Sequence, residues 1–126
     1  MTFETACETR RVSTYLHGTP EHVASQRLVL SDFCAARPEW LVQCEFTDGP
    51  GKFTNGRPGL ARLKQAIRNR DCDVVVVTSG DRISRSLGEL SAFLVWAAGF
   101  DVDVWTVDGS LYPAISALWT GLEVGR

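Results

Sequence analysis

Residues 73–86 read DVVVVTSGDRISRS, and this stretch decides the fold class. Its four consecutive valines form a short, β-branched, wholly apolar run, which is typical of a strand buried on both faces of a parallel sheet. A Ser-Gly pair ends the run, and Asp81, Arg82 and Arg85 follow where the chain leaves the sheet. Ligands of open α/β sheets bind beyond the carboxyl ends of the strands. The stretch therefore predicts a buried strand with a binding site after it.

Two interpretations of the segment after the valines stay open at this point. Arg82 and Arg85 are three residues apart, so a helical turn would project both guanidinium groups to one side, where they match phosphate oxygens. A plainer interpretation is a solvated turn that caps the next helix, because Ser86 and Glu89 have the spacing of a capping box. Capping accounts for Ser86 and Glu89 but leaves Asp81 and both arginines unexplained.

Composition limits the function classes. The chain has 126 residues, enough for one domain, and its net charge of −2 excludes nucleic-acid binding through overall positive charge. Any DNA contact must come from local clusters of arginine. The four cysteines form no Cys-x-x-Cys pair, and no signal peptide or long apolar run is present, so we expect reduced thiols and a cytoplasmic protein. The two histidines lack metal-ligand spacing, so we expect no metal and no cofactor.

The order of elements is that of an α/β protein. We predict strands at residues 7–13, 40–46, 74–77 and 102–106 from their apolar or alternating patterns. Helices are predicted to begin at Thr19-Pro20 and Arg57-Pro58, each with a first-turn proline, and to cover residues 87–98 and 113–122.

The glycine-rich segment at residues 48–56 is predicted to be a loop. Its Gly51-Lys52 pair suggests a phosphate-binding loop, but Walker-type spacing would require a glycine where Phe46 stands. No glycine fingerprint follows a strand, which disfavours a nucleotide-binding domain.

The polar residues outside the valine stretch extend the candidate site. Arg11 and Ser13 share one face of the first predicted strand, since side chains alternate with period two. With Arg57, Arg82 and Arg85 they form a set that suits phosphoryl transfer by a serine nucleophile, where charge neutralisation does most of the work. The alternatives are a strand-end Ser13 that bonds its own backbone and an exposed first-turn Arg57.

Taken in order, these motifs resemble the catalytic domain of the serine recombinases, the resolvase and invertase family, over residues 7–107. The matching motifs are Arg11-Val12-Ser13-Thr14, Gln26 with Leu30, Asp48-Gly49, Arg57-Pro58-Gly59-Leu60, the strand at residues 73–77, and Asp81-Arg82-Ile83-Ser84-Arg85-Ser86.

The resemblance implies a three-layer α/β domain with a central, mostly parallel sheet of four to five strands flanked by helices. It implies that Ser13 attacks a DNA phosphodiester, forms a 5′-phosphoserine link and releases a 3′-hydroxyl, without metal or cofactor. The phosphate-binding and supporting positions match Arg11, Arg57, Arg82, Arg85, Asp81, Gln26 and Asp48. Family members act as dimers that join into a tetramer on two DNA sites.

The chain departs from the family pattern in two places. A tyrosine usually stands two residues before the strand arginine, where this chain has Thr9. Family members also continue into a long helix and a DNA-binding domain, so we expect residues 1–126 to be a single catalytic domain without that module.

Two functions remain open. One is a recombinase domain that cuts and rejoins DNA when joined to a DNA-binding module. The other is a catalytically impaired remnant that acts only as an oligomerisation or regulatory module. Trp119 and Leu122 on the last predicted helix mark a candidate oligomer face.

Overall fold

The fold is that of a parallel α/β domain, seen in a computed structural model that describes residues 9–50 and 56–109. The elements in chain order are β1 (Arg10–His17), α1 (Pro20–Ala35), β2 (Trp40–Asp48), α2 (Pro58–Arg68), β3 (Val74–Val77), a 3₁₀ helix (Gly80–Arg82), α3 (Leu87–Ala98) and β4 (Asp103–Thr106). None of the helices in these two ranges is long and apolar enough to cross a membrane.

The four strands form one sheet in the order β2-β1-β3-β4, and every neighbouring pair is parallel. The valine strand β3 lies inside the sheet, and all four of its valines are fully buried. The prediction of a buried central strand at residues 74–77 is therefore confirmed.

Alternating side chains of the sheet form two cores, one on each face. Val74 and Val76 pack with Leu30 and Cys34 of α1 on one side. Val75 and Val77 pack on the other side with apolar residues of α2 and α3, which include Leu60, Leu63, Ile67, Leu90 and Phe93. Helices therefore cover both faces, and the predicted three-layer architecture is confirmed.

The predicted helix starts are confirmed, with one change in the third. Thr19 caps α1 by accepting a hydrogen bond from the backbone N–H of His22. Ser86 caps α3 by accepting from the backbone N–H of Glu89. The carboxylate of Glu89 does not close the predicted capping box, because it accepts instead from the hydroxyl of Ser84 at 2.7 Å.

The first strand was predicted at residues 7–13, but β1 runs from Arg10 to His17. Thr14, Tyr15 and Leu16 are buried, and β1 stays paired with β2 as far as the pair His17–Asp48, with one shift in register between Val12 and Ser13. The predicted end at Ser13 was too early, because the β-branched and aromatic residues Thr14 and Tyr15 continue the strand.

Several predictions fall outside the described residues. They are the beginning of the first predicted strand at Cys7 and Glu8, the centre of the glycine-rich loop at residues 51–55, and the last predicted helix at residues 113–122 with Trp119 and Leu122.

Candidate functional site

A cavity of about 480 Å³ lies beyond the carboxyl ends of β1 and β3. Its lining includes the guanidinium-bearing residues Arg57, Arg82 and Arg85 together with Asp81, His17 and Thr19. Parallel strands bring segments distant in sequence to one edge of the sheet, which is where α/β proteins bind ligands. We call this cavity the arginine pocket.

Arg82 and Arg85 reach the arginine pocket from the turn after β3. Arg82 donates from Nη1 to the carbonyl of His17 at 3.3 Å, and its Nε is buried without a hydrogen-bond partner among the described residues. Arg85 is exposed, so its guanidinium is available to a ligand. The carboxylate of Asp81 accepts a hydrogen bond from the hydroxyl of Ser79.

Arg57 is held by several partners on the side of the pocket formed by the start of α2. Its Nε and Nη2 donate to the hydroxyl of Tyr15 at 3.2 and 3.0 Å, and its Nη1 donates to the carbonyl of Ile83 at 2.7 Å. Nη2 also donates to the carbonyl of Arg82. Arg57 thus ties β1 to the turn that carries the other two arginines.

Asp48 anchors this network from the end of β2. Its buried carboxylate accepts from the hydroxyl of Tyr15 at 2.6 Å and from the backbone N–H groups of Gly59 and Leu60 at 2.7 and 2.8 Å. The carboxylate therefore caps α2. Burial and the bond to Asp48 raise the pKa of Tyr15, so its hydroxyl stays protonated and keeps donating.

Gln26 of α1 fixes the end of β1. Its buried side chain accepts from the backbone N–H of His17 at 3.1 Å and donates to the carbonyl of His17 at 2.8 Å. The amide thus forms the two backbone hydrogen bonds that a neighbouring strand would form, and it fixes the point at which β1 ends.

His17, the last residue of β1, is one of the residues that line the arginine pocket. Its ring stacks on that of Tyr15 with centroids 6.3 Å apart, and its Nε2 is buried without a hydrogen-bond partner among the described residues. Burial lowers the pKa of His17, and the positive charges of Arg57, Arg82 and Arg85 lower it further, against an opposing effect of Asp48. The imidazole is therefore neutral at pH 7.

Thr19 lines the same pocket two residues later. Gly18, with φ of +141°, turns the chain between His17 and Thr19, and a Cβ there would come within 2.9 Å of the His22 Cβ. From the sequence, Thr19 is predicted only as a helix cap, because capping fully explains a threonine before proline. Thr19 and Ser84 are the two hydroxyl residues that line the pocket with the three arginines, and the Ser84 hydroxyl already donates to Glu89.

Ser13 lies elsewhere on β1. It is only 2% exposed, its neighbours across the sheet are Cys44 and Val75, and its side chain is paired with the Cys72 thiol. Period two puts Ser13 on the same face as His17, but four residues at about 3.3 Å each separate the two by roughly 13 Å.

Arg11 is further still from the pocket, at the start of β1. It forms an ion pair with Asp73 in which Nε and Nη2 both donate to the carboxylate at 3.1 Å, and Nη2 also donates to the carbonyl of Arg70. The structure therefore does not bring Arg11 and Ser13 together with Arg82 and Arg85, because residues on one face of a strand can lie at opposite ends of it.

Three arginines and a hydroxyl at the carboxyl edge of a parallel sheet define an α/β domain suited to phosphoryl transfer. The model of the family described as Resolvase, N terminal domain, matches residues 9–117, and the chain belongs to this family. It is a site-specific recombinase catalytic domain, from a family of DNA strand transferases that bind DNA and act as oligomers.

Solved structures share the fold. The N-terminal catalytic domain of TP901-1 integrase has a TM-score of 0.73 and 23% identity, covering 92% of this chain and 98% of that one. A resolvase family site-specific recombinase from Streptococcus pneumoniae has a TM-score of 0.75 and 18% identity, covering 94% and 89%. The C-terminal catalytic domain of ISC1926 TnpA, an IS607-like serine recombinase, has a TM-score of 0.69 and 20% identity, covering 89% and 82%. No curated protein matches the chain.

Proposed function

We propose that this domain cuts and rejoins DNA through a covalent link between a DNA phosphate and Thr19. The supporting observation is that Thr19, a hydroxyl residue, lines the same cavity as Arg57, Arg82 and Arg85. Threonine hydroxyls serve as nucleophiles in other enzymes, and arginines neutralise the charge on the equatorial phosphate oxygens. The products would be a 5′-phosphothreonine link and a free 3′-hydroxyl.

The family pattern supports the same assignment. A tyrosine, an arginine and a serine stand in that pattern at intervals of two residues, and Thr9, Arg11 and Ser13 match it without the tyrosine. Six residues later, Tyr15-Leu16-His17-Gly18-Thr19 has the same spacing with the tyrosine present. Histidine then takes the place of the arginine, and threonine takes the place of the serine.

The roles of the other pocket residues follow from their contacts. Arg82 and Arg85 would bind the phosphate, and Arg57 would add positive charge while it holds the pocket together. Gln26 and Asp48 are supporting residues, because they fix the end of β1 and the start of α2. We further propose action on DNA in the cytoplasm as a dimer or tetramer.

Covalent trapping tests this proposal. The full chain, fused to a sequence-specific DNA-binding module, is incubated with a suicide substrate that carries a nick beside the cleavage site. Thr19→Ser keeps both cap and hydroxyl, whereas Thr19→Asn keeps a good helix cap and removes the hydroxyl. We expect adducts from the parent and Thr19→Ser and none from Thr19→Asn.

Ser13→Ala is the matched control, because Ser13 is the competing hydroxyl. The adduct should survive this substitution. If it survives Thr19→Asn and disappears in Ser13→Ala, the nucleophile is Ser13 and the proposal is wrong. If the folded parent fusion forms no adduct, the remnant hypothesis is favoured instead.

A further inference from the structure

A residue that lines the arginine pocket, His17, carries a buried polar atom that forms no hydrogen bond within the described residues. Nε2 of His17 has no hydrogen-bond partner among the described residues, although it is shielded from solvent. A buried polar group without a partner costs about 1–3 kcal/mol, and such groups are rare in folded proteins. A ring nitrogen without a hydrogen-bond partner, in a residue next to a candidate reaction centre, is a candidate for a chemical role.

The imidazole is held in place by groups that do not use its ring nitrogens. Gln26 bonds both backbone groups of His17, and Arg82 bonds its carbonyl. The ring itself stacks on Tyr15. The side chain is therefore preorganised at the end of β1, with Gly18 as the only residue between it and Thr19.

The charges around His17 favour a neutral ring. Arg57 lies at the start of α2, Arg82 follows β3, and Arg85 precedes α3, whereas Asp48 at the end of β2 acts in the opposite direction. The remaining titratable groups at the pocket are Tyr15 on β1 and Asp81, His22 and Glu89 on its lining. A neutral imidazole can accept a proton, which an arginine at this position could not do at pH 7.

We propose that His17 is the general base that takes the proton from the Thr19 hydroxyl. This inference rests on the proposed function. It gives a catalytic role to a histidine that stands where the family pattern has an arginine. General bases typically accelerate proton-transfer-limited steps by about 10²–10⁴-fold.

The hydroxyl proton of Thr19 passes to the neutral imidazole of His17 as Thr19 Oγ1 forms a bond to phosphorus. The bond between phosphorus and the DNA 3′-oxygen breaks, and its electron pair leaves with that oxygen, which takes a proton from water. The imidazolium returns its proton to water. Rejoining runs the same transfers in reverse, so the step requires no oxidant, reductant or nucleotide.

The test measures the initial rate of adduct formation by the fused full chain from pH 5 to pH 8, with folding checked by circular dichroism at each pH. The parent rate should rise about tenfold per pH unit at low pH and level off above an inflection that lies below the ordinary histidine pKa of about 6.5. An NMR titration of the His17 ring in the free chain should give the same midpoint.

Three variants separate catalysis from phosphate binding. His17→Gln should form adduct about 10²-fold more slowly than the parent, without the inflection. His17→Arg restores the charge of the family pattern, and it should be equally slow because arginine cannot accept the proton. His22→Gln alters the neighbouring histidine and should retain the inflection, whatever its overall rate.

These experiments distinguish failure of the proposed role of His17 from failure of the proposed function. If the adduct forms through Thr19 but His17→Arg matches or exceeds the parent, His17 is a phosphate contact and the inference is overturned alone. A parent profile without an inflection, or one that His17→Gln retains, overturns it equally. If no adduct forms at any pH, the proposed function fails and the role of His17 fails with it.

Discussion

Among single residues, the three arginines of the pocket differ in how many hydrogen bonds their guanidinium groups form within the fold. Arg57 donates to Tyr15 and to two backbone carbonyls, so its removal would leave several buried acceptors without donors. Arg85 is exposed and stands in the same cavity. Substitutions of these two residues should therefore distinguish an effect on stability from an effect on phosphate binding.

We expect Arg85→Ala to change the free energy of unfolding by less than about 0.5 kcal/mol, because it is an exposed residue. Its adduct formation should fall about 10²–10³-fold, by analogy with the loss of one oxyanion-hole donor. Arg57→Ala should lose activity and also about 1–3 kcal/mol of stability. Urea unfolding and adduct rates of both variants check this, and equal stability losses would contradict it.

Part of this site can be predicted from single residues of the sequence. Arg57, Arg82 and Arg85 were predicted to share a site and do line one cavity. Thr19, our proposed nucleophile, was predicted only as a helix cap, whereas Ser13 was predicted as the nucleophile from the strand face that it shares with Arg11 and from the family motif. The sequence signal that favours our proposal for Thr19 is Tyr15, since a tyrosine four residues before a hydroxyl residue fits the family pattern.

At the scale of elements, the pocket depends on how closely the start of α2 approaches the end of β2. The amide groups of Gly59 and Leu60 bond the Asp48 carboxylate. A Cβ on Gly59 would come within 2.2 Å of the carbonyl oxygen of Thr47 and 3.0 Å of Asp48 Oδ1. Backbone rather than a flexible side chain blocks the position, so only glycine fits.

Gly59→Ala should destabilise the domain by about 1–3 kcal/mol or more, because α2 must move away from β2. Gly88→Ala is the matched control, since its nearest atom is the Ser86 Oγ at 3.8 Å and Gly88 lies in the first turn of α3. That change should stabilise by about 0.5–1 kcal/mol. Urea midpoints measure both effects, and a neutral Gly59→Ala would show that the contact is not tight.

Elements with strong local signals were predicted well from the sequence. The valine strand and the capped starts of α1 and α3 depend on neighbouring residues, so a single sequence contains the necessary information. The end of β1 depends on pairing with β2 and on the bonds that Gln26 makes with His17. Those are tertiary contacts, which local patterns cannot specify.

Across the whole molecule, the two ends of the sheet have different roles. The carboxyl end holds the arginine pocket, whereas the amino end holds an ion pair between Arg11 and Asp73 that joins β1 to the residue before β3. The Arg11 guanidinium lowers the pKa of Asp73 below its usual value. A carboxylate with a lowered pKa stabilises the folded state above its unfolded pKa, and this contribution disappears as pH falls through the folded value.

We expect Asp73→Asn to lower the free energy of unfolding at pH 7 by about 1 kcal/mol or less, since the pair is partly exposed. The difference between parent and variant should disappear as the pH falls through the lowered pKa of Asp73, which lies below the ordinary value of 3.8. Asp101→Asn is the control, because Asp101 is 89% exposed and its partner Arg70 lies at 3.4 Å. Urea unfolding at pH 7 and at acid pH measures both, and an undiminished difference at acid pH would exclude the ion pair as the cause.

The central claim is that the chemistry takes place at the carboxyl edge of the sheet. Its most direct test is to digest the trapped protein–DNA adduct and locate the modified residue by mass spectrometry. Our account predicts the nucleotide on Thr19, in the peptide that joins β1 to α1. A nucleotide on Ser13 would contradict it, because the reaction would then require β1 to leave the structure described here.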